Sequence, residues 1–145
     1  MTHDYWTNRF LMEGIVVAAD EHGVQVMLIE DDVVLRRAIG SVFRSSGVEV
    51  LAESGDGAEA LEVLAETRVD LIVTDCQMPR MDGISLVRQL RARGDFTPVI
   101  MVSGQVDPLV IERARAAGVN CYLPKPLSAE SLWGAIGQTL PGWAA

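Results

Sequence analysis

Lysine is nearly missing from this 145-residue chain: Lys125 is the only one among twelve basic residues, and the others are arginine. Basic charge is scarce altogether, with 12 basic against 20 acidic side chains and a formal net charge of −8. That balance argues against direct binding to nucleic acid or to an anionic membrane through a nonspecific field. Two cysteines are too few for a disulfide framework. A chain of this length buries about 70% of its unfolded surface, so it needs neither disulfides nor a structural metal to fold. Long apolar runs are also lacking. The stretch from Phe10 to Ala19 is broken by Glu13 and Gly14 and falls far short of the ~20 residues that span a bilayer. Preceded by a single basic residue, Arg9, and followed by no clear cleavage site, it does not read as a signal peptide. A reduced, cytoplasmic protein is expected. The length fits one domain rather than separate cofactor and substrate lobes, and the sequence shows no internal repeat or low-complexity linker.

From residue 24 onward, short β-branched runs alternate with segments of helical period, which predicts an α/β fold with a parallel sheet. Strands are expected at Val24 to Ile29, Val48 to Ala52, Val69 to Thr74, Val99 to Val102 and Cys121 to Leu123. Each is apolar nearly throughout, as helices on both faces require. Helices are expected at about Val33 to Ser45, Ala58 to Glu66, Ile84 to Arg93 and Pro108 to Gly118. A fifth, capped by Ser128, repeats Leu132, Ile136 and Leu140 every four residues. Residues 1–23 break this rhythm and read as a leader or arm, residues 24–140 as the domain, and residues 141–145 as a short tail.

In an open parallel sheet, ligands gather beyond the carboxyl ends of the strands. The residues there are Glu30, Asp31 and Asp32 after the first strand, Asp75 after the third, Ser103 after the fourth, and Lys125 with Pro126 after the fifth. Carboxylates suit Mg²⁺, which takes oxygen ligands, and a lysine can pair with a phosphoryl oxygen. The set therefore points to a site for a hard cation and a phosphoryl group.

Five segments in this order carry a family resemblance: Leu28-Ile29-Glu30-Asp31-Asp32, Leu71-Ile72-Val73-Thr74-Asp75, Met78-Pro79-Arg80-Met81-Asp82-Gly83, Val102-Ser103-Gly104 and Leu123-Pro124-Lys125-Pro126-Leu127. Together they resemble the response regulator receiver domain, in its stand-alone, chemotaxis-regulator-like form, over about residues 24–140. The resemblance implies a flavodoxin-like, doubly wound, five-stranded parallel sheet of order 2-1-3-4-5 with helices on both faces. It implies Asp75 as phosphoacceptor, and Mg²⁺ held by Glu30, Asp31, Asp75 and the backbone carbonyl of Gln77. Ser103 matches the switch hydroxyl, Lys125 the phosphoryl-pairing lysine, Tyr122 the rotating aromatic, and Pro126 the proline that follows a cis bond. Glu30 stands where Asp is frequent and Ser103 where Thr is frequent, and both keep the needed functional group.

The implied activity is two-component signalling rather than enzymatic turnover of a separate substrate. The phosphoryl group would come from the phosphohistidine of a histidine kinase or a histidine phosphotransfer protein. The signal would leave through the face of the fourth helix, fifth strand and fifth helix to a downstream protein target, and a homodimer is left open. With only five residues after the last helix, output by contact is expected, although a domain excised from a longer regulator would look the same.

Other readings compete locally. Gly55-Asp56-Gly57-Ala58-Glu59-Ala60 follows a strand, opens a helix and precedes Asp75 by 20 residues, as a dinucleotide-binding fingerprint would, but Asp56 would set a carboxylate beside the pyrophosphate. A Mg²⁺-dependent aspartyl-phosphate phosphohydrolase would also want this acidic cluster, but its Asp-x-Asp motif is replaced by Glu30-Asp31-Asp32. Asp32 is expected to cap the first helix and Asp82 to serve a turn. Cys76 and Cys121 are expected to be packed thiols, and His3 and His22 to have no ligand role. Trp133, with Gly134 and Gly137, reads either as a helix weakened by its glycines or as an apolar docking surface.

Overall fold

The computed structural model describes residues 23–140, so the expectations for the leader, including His3 and His22, and for the tail lie outside the described residues. Five strands alternate with five helices: β1 Gln25–Ile29, α1 Val33–Ser45, β2 Glu49–Ser54, α2 Gly57–Glu66, β3 Leu71–Asp75, α3 Gly83–Ala92, β4 Val99–Ser103, α4 Pro108–Ala117, β5 Cys121–Pro124 and α5 Ala129–Thr139. The strands form one parallel sheet in the order β2-β1-β3-β4-β5. This is the flavodoxin-like order that the motifs imply.

Side chains alternate across each strand, and the sheet divides the core accordingly. Val26, Leu28, Leu71, Val73, Ile100 and Val102 face α1 and α5, where Phe43 and Ile136 are buried. Met27, Ile29, Ile72, Val99 and Met101 face α2, α3 and α4, where Leu64, Leu86 and Ala114 are buried. β3 and β4 are buried throughout. β2 differs from the uniformly apolar expectation: as an edge strand it exposes Glu49, Leu51 and Glu53.

Among the described residues, every helix begins with a side-chain cap that accepts otherwise unpaired N–H groups. Asp32, Asp56, Asp82 and Asp107 cap α1 to α4, and Ser128 caps α5. Asp32 thus caps as expected, while Asp82 does more than turn the chain, accepting from Ser85 N–H at 2.7 Å. Pro108 opens α4, and Gly118 ends it with φ +111°, a left-handed conformation that glycine adopts without steric cost. Trp133 is half-buried and meets the Phe43 ring edge-on, with centroids 6.0 Å apart. This contact packs part of its side chain onto the core. Among the described residues, no helix is long and apolar enough to cross a membrane.

Candidate functional site

The sheet order puts β1 beside β3, and α1 and α3, which follow these two strands, pack on opposite faces of the sheet. A crevice therefore opens beyond their carboxyl ends. Strand register fills it. Ile29 pairs with Thr74, so Glu30 follows on β1 where Asp75 ends β3. Ser103 pairs with Pro124, and Lys125 N–H then donates to the Ser103 carbonyl at 2.8 Å. Residues far apart in sequence are thus brought to one edge by the hydrogen-bond ladder itself.

Glu30, Asp31 and Asp75 each offer a carboxylate oxygen, and these oxygens all lie within 4.8 Å of one another. Glu30 is 1% exposed and Asp75 6%, while Asp31 is exposed and opens the cluster to solvent. Lys125 Nζ lies 3.2 Å from Glu30 Oε1 and 3.2 Å from Asp75 Oδ2. Glu30 Oε2 accepts from the Asp32 N–H at 3.1 Å, and Asp75 Oδ1 from the Gln77 N–H at 3.4 Å. The Lys125-Pro126 peptide bond is cis.

Burial, reinforced by the Asp75 carboxylate, pushes the Glu30 pKa from 4.5 to about 7, against the opposing pull of the Asp32 N–H and Lys125. Burial would lower the Lys125 ammonium, but the Asp75 and Glu30 carboxylates outweigh it and hold the pKa above its ordinary value. Glu30 Oε1 is buried and has no aligned hydrogen bond, only the ion pair to Lys125. A buried carboxylate oxygen in that condition is costly unless it finds a further partner. Three converging carboxylates, one of them solvent-accessible, form the hard-oxygen donor set that Mg²⁺ takes. The residues present fit that ion.

Ser103 is 1% exposed, and its Oγ accepts from the Gln105 N–H at 3.0 Å. The Tyr122 hydroxyl donates to the carbonyl of the same residue at 2.8 Å. Both side chains are thereby tied to the loop leading into α4. Cys76 sits beside Asp75, and burial pushes its thiol pKa up; burial does the same to Cys121. Reactive cysteines need the opposite shift, so both behave as packed thiols.

The residues of the deceptive glycine turn pack against the site loops. A Cβ at Gly57 would overlap the Met81 carbonyl, and Asp56, besides capping α2, pairs with Arg80. Arg80 itself takes φ 64°, the left-handed region rare for a side-chain-bearing residue. Gly83 is required for a similar reason, since a Cβ there would overlap the Asp75 carbonyl. The Asp56–Arg80 pair joins residues 24 apart, and no local pattern in the sequence signals it. Arg36 is a second such residue, donating to the Glu30 carbonyl at 2.8 Å.

The fold and this strand-end site define a receiver domain. The family model of the response regulator receiver domain matches residues 26–137, and the chain belongs to that family. Among curated proteins it is similar to the transcriptional regulatory protein PdtaR of Mycobacterium tuberculosis, 34% identical over 112 residues, which is 77% of this chain and 54% of that protein. The chain thus spans about half the length of that relative. Among solved structures, the signal receiver domain of the M. tuberculosis response regulator NarL superposes with a TM-score of 0.78 at 28% identity, covering 82% of this chain and 97% of that one. The receiver domain of a sensor histidine kinase from Pseudomonas aeruginosa gives a TM-score of 0.74 at 30% identity over 82% of this chain and 98% of that one. That structure carries a magnesium ion coordinated in its active site cleft.

Proposed function

We propose that Asp75 accepts a phosphoryl group from the phosphohistidine of a histidine kinase or a histidine phosphotransfer protein. Glu30, Asp31, Asp75 and the backbone carbonyl of Gln77 would hold the Mg²⁺. The observation that carries this reading is the placement of Lys125 Nζ 3.2 Å from an Asp75 oxygen at the edge of a three-carboxylate cluster. When bound, Mg²⁺ supplies positive charge toward the oxygens of the transferring group.

The remaining chemistry belongs to the chain. An Asp75 carboxylate oxygen forms the new P–O bond as the P–N bond to the donor imidazole breaks, and the imidazole keeps the electron pair and takes up a proton. Phosphoryl transfer has a loose transition state, so positioning and charge neutralisation dominate. Lys125, already aimed at Asp75, turns its ammonium to the incoming phosphoryl oxygens. Ser103 Oγ accepts from Gln105 N–H, which leaves its own hydrogen to donate to a phosphoryl oxygen. Moving Ser103 then disturbs Gln105, whose carbonyl also holds the Tyr122 hydroxyl. This couples the site to α4 and β5, the face through which a downstream protein would read the state.

Mg²⁺-dependent stability tests the site. A ligand that binds only the native state should raise wild-type stability by about 2.7 kcal/mol at 100 times its dissociation constant. Asp75→Asn, which removes one anionic ligand, should melt higher than wild type without metal and gain less from Mg²⁺. Equal Mg²⁺-induced shifts in the denaturant midpoints of the two proteins would place the metal elsewhere. Phosphotransfer from a panel of phosphorylated histidine kinases tests the donor.

A further inference from the structure

Glu30 and Asp31 are neighbours, so one peptide plane sets how their carboxylates stand relative to each other. β1 ends at Ile29, and the Glu30 N–H still bonds across the sheet to the Ser54 carbonyl at 2.9 Å. The Glu30 carbonyl accepts instead from Arg36 Nη1 at 2.8 Å. That carbonyl belongs to the peptide joining Glu30 to Asp31. Arg36 is itself anchored: its Nε lies 3.5 Å from Glu53 Oε1, and its side chain is 22% exposed. Gly55 makes room for it, because a Cβ there would come within 3.0 Å of Arg36 Nη1 and 3.5 Å of the Asp31 Cα.

We propose that Arg36 is a positioning residue for the cation site. By pinning the carbonyl of the Glu30–Asp31 peptide, it fixes the plane from which both carboxylates project toward Asp75. The Glu30 head is held separately by Lys125, from beyond β5, on Oε1, so without Arg36 the peptide can swing while that ion pair stays. Asp31, the exposed member of the cluster, would follow that swing. Glu53 and Gly55 act through Arg36, one orienting it and the other giving it space. This inference rests on the reading that the three carboxylates hold Mg²⁺.

The sign of one effect separates positioning from plain electrostatics. A guanidinium near a cation site repels the cation, so if Arg36 acted only as a charge, its removal would tighten Mg²⁺ binding. If it positions the ligands, its removal weakens binding. Outer residues that orient metal ligands typically contribute roughly ten-fold or more in affinity.

Calorimetric titration of the folded protein with MgCl₂ alone tests this, alongside melting in EDTA. Arg36→Met should weaken Mg²⁺ binding by roughly ten-fold. Arg36→Lys, which keeps the charge but not the planar fork, should weaken it as well, and Glu53→Gln should weaken it less and in the same direction. Unchanged or tighter binding by Arg36→Met overturns the proposal, as does a lower metal-free melting temperature with Mg²⁺ affinity untouched. If Arg36→Met does not fold, unchanged affinity in Glu53→Gln overturns it instead. Asp31→Asn separates the two levels. If wild type binds no Mg²⁺, or Asp31→Asn binds it as tightly as wild type, the reading of the site fails and this inference falls with it.

Discussion

Glu30 Oε1 and Lys125 Nζ stand 3.2 Å apart at the floor of the site, yet Oε1 has no aligned hydrogen bond. The pair therefore compensates charge without fully compensating the lost hydration of a carboxylate that is 1% exposed. The strain falls on the protonation equilibrium of Glu30, whose pKa rises from 4.5 to about 7.

Metal-free stability should follow that shift. A carboxyl whose folded pKa lies above its unfolded value binds more protons when folded, so its contribution is fully present below pH 4.5 and is lost as pH rises through about 7. In EDTA, wild type should lose stability across this window, by at most on the order of 3 kcal/mol. Asp70, also raised by burial, titrates in wild type and in Glu30→Gln alike, so the difference between the two proteins isolates Glu30. Denaturant midpoints from pH 4.5 to 8 check this, and parallel curves for the two proteins would contradict it.

Two glycines should respond to alanine with opposite signs. Gly134 in α5 faces open space, so Gly134→Ala should stabilise the fold by about 0.5–1 kcal/mol through helix propensity. A Cβ at Gly83 would overlap the Asp75 carbonyl, so Gly83→Ala should destabilise it by about 2–3 kcal/mol and displace the end of β3 that carries Asp75. Urea denaturation of both variants reads the signs.

Asp32 lies next to the acidic pair but spends Oδ1 on the N–H groups of Val34 and Leu35, at 2.9 and 3.1 Å. Asp32→Ala should therefore lower stability by about 1 kcal/mol, the usual worth of a cap, while keeping Mg²⁺-dependent labelling by a small phosphodonor. Loss of labelling in the folded variant would give Asp32 a chemical role instead.

Much of the fold and site was legible because it rests on local patterns. The apolar runs of β3 and β4 and the caps at Asp32 and Ser128 are local signals, and a parallel sheet carries its strand ends to one edge. β2 was less legible: the charged Glu49 and Glu53 mark an outward face, but which strand lies at the edge depends on the whole topology, so the exposure of Leu51 has no local sign. Gly55-Asp56-Gly57 has the spacing of a phosphate cradle, but the space beside Gly57 is filled by the Met81 carbonyl from another loop. Arg36 is hidden in the sequence because its partner is a backbone carbonyl, which every residue carries. The packing of Trp133 has no local sign either, because its ring partner is distant in sequence. The Phe43 ring that receives it lies on α1, 90 residues earlier.

The central claim, that Asp75 is the phosphoacceptor of this site, is tested most directly by locating the phosphoryl group. Wild type, Asp75→Ala and Asp32→Ala would be treated with a small phosphodonor in Mg²⁺ and in EDTA, then mapped by peptide mass spectrometry. One adduct is expected, on Asp75, formed only with Mg²⁺, present in Asp32→Ala and absent from Asp75→Ala. An adduct on Glu30, Asp31 or Asp32 of the wild type, or undiminished labelling of folded Asp75→Ala, would contradict the account.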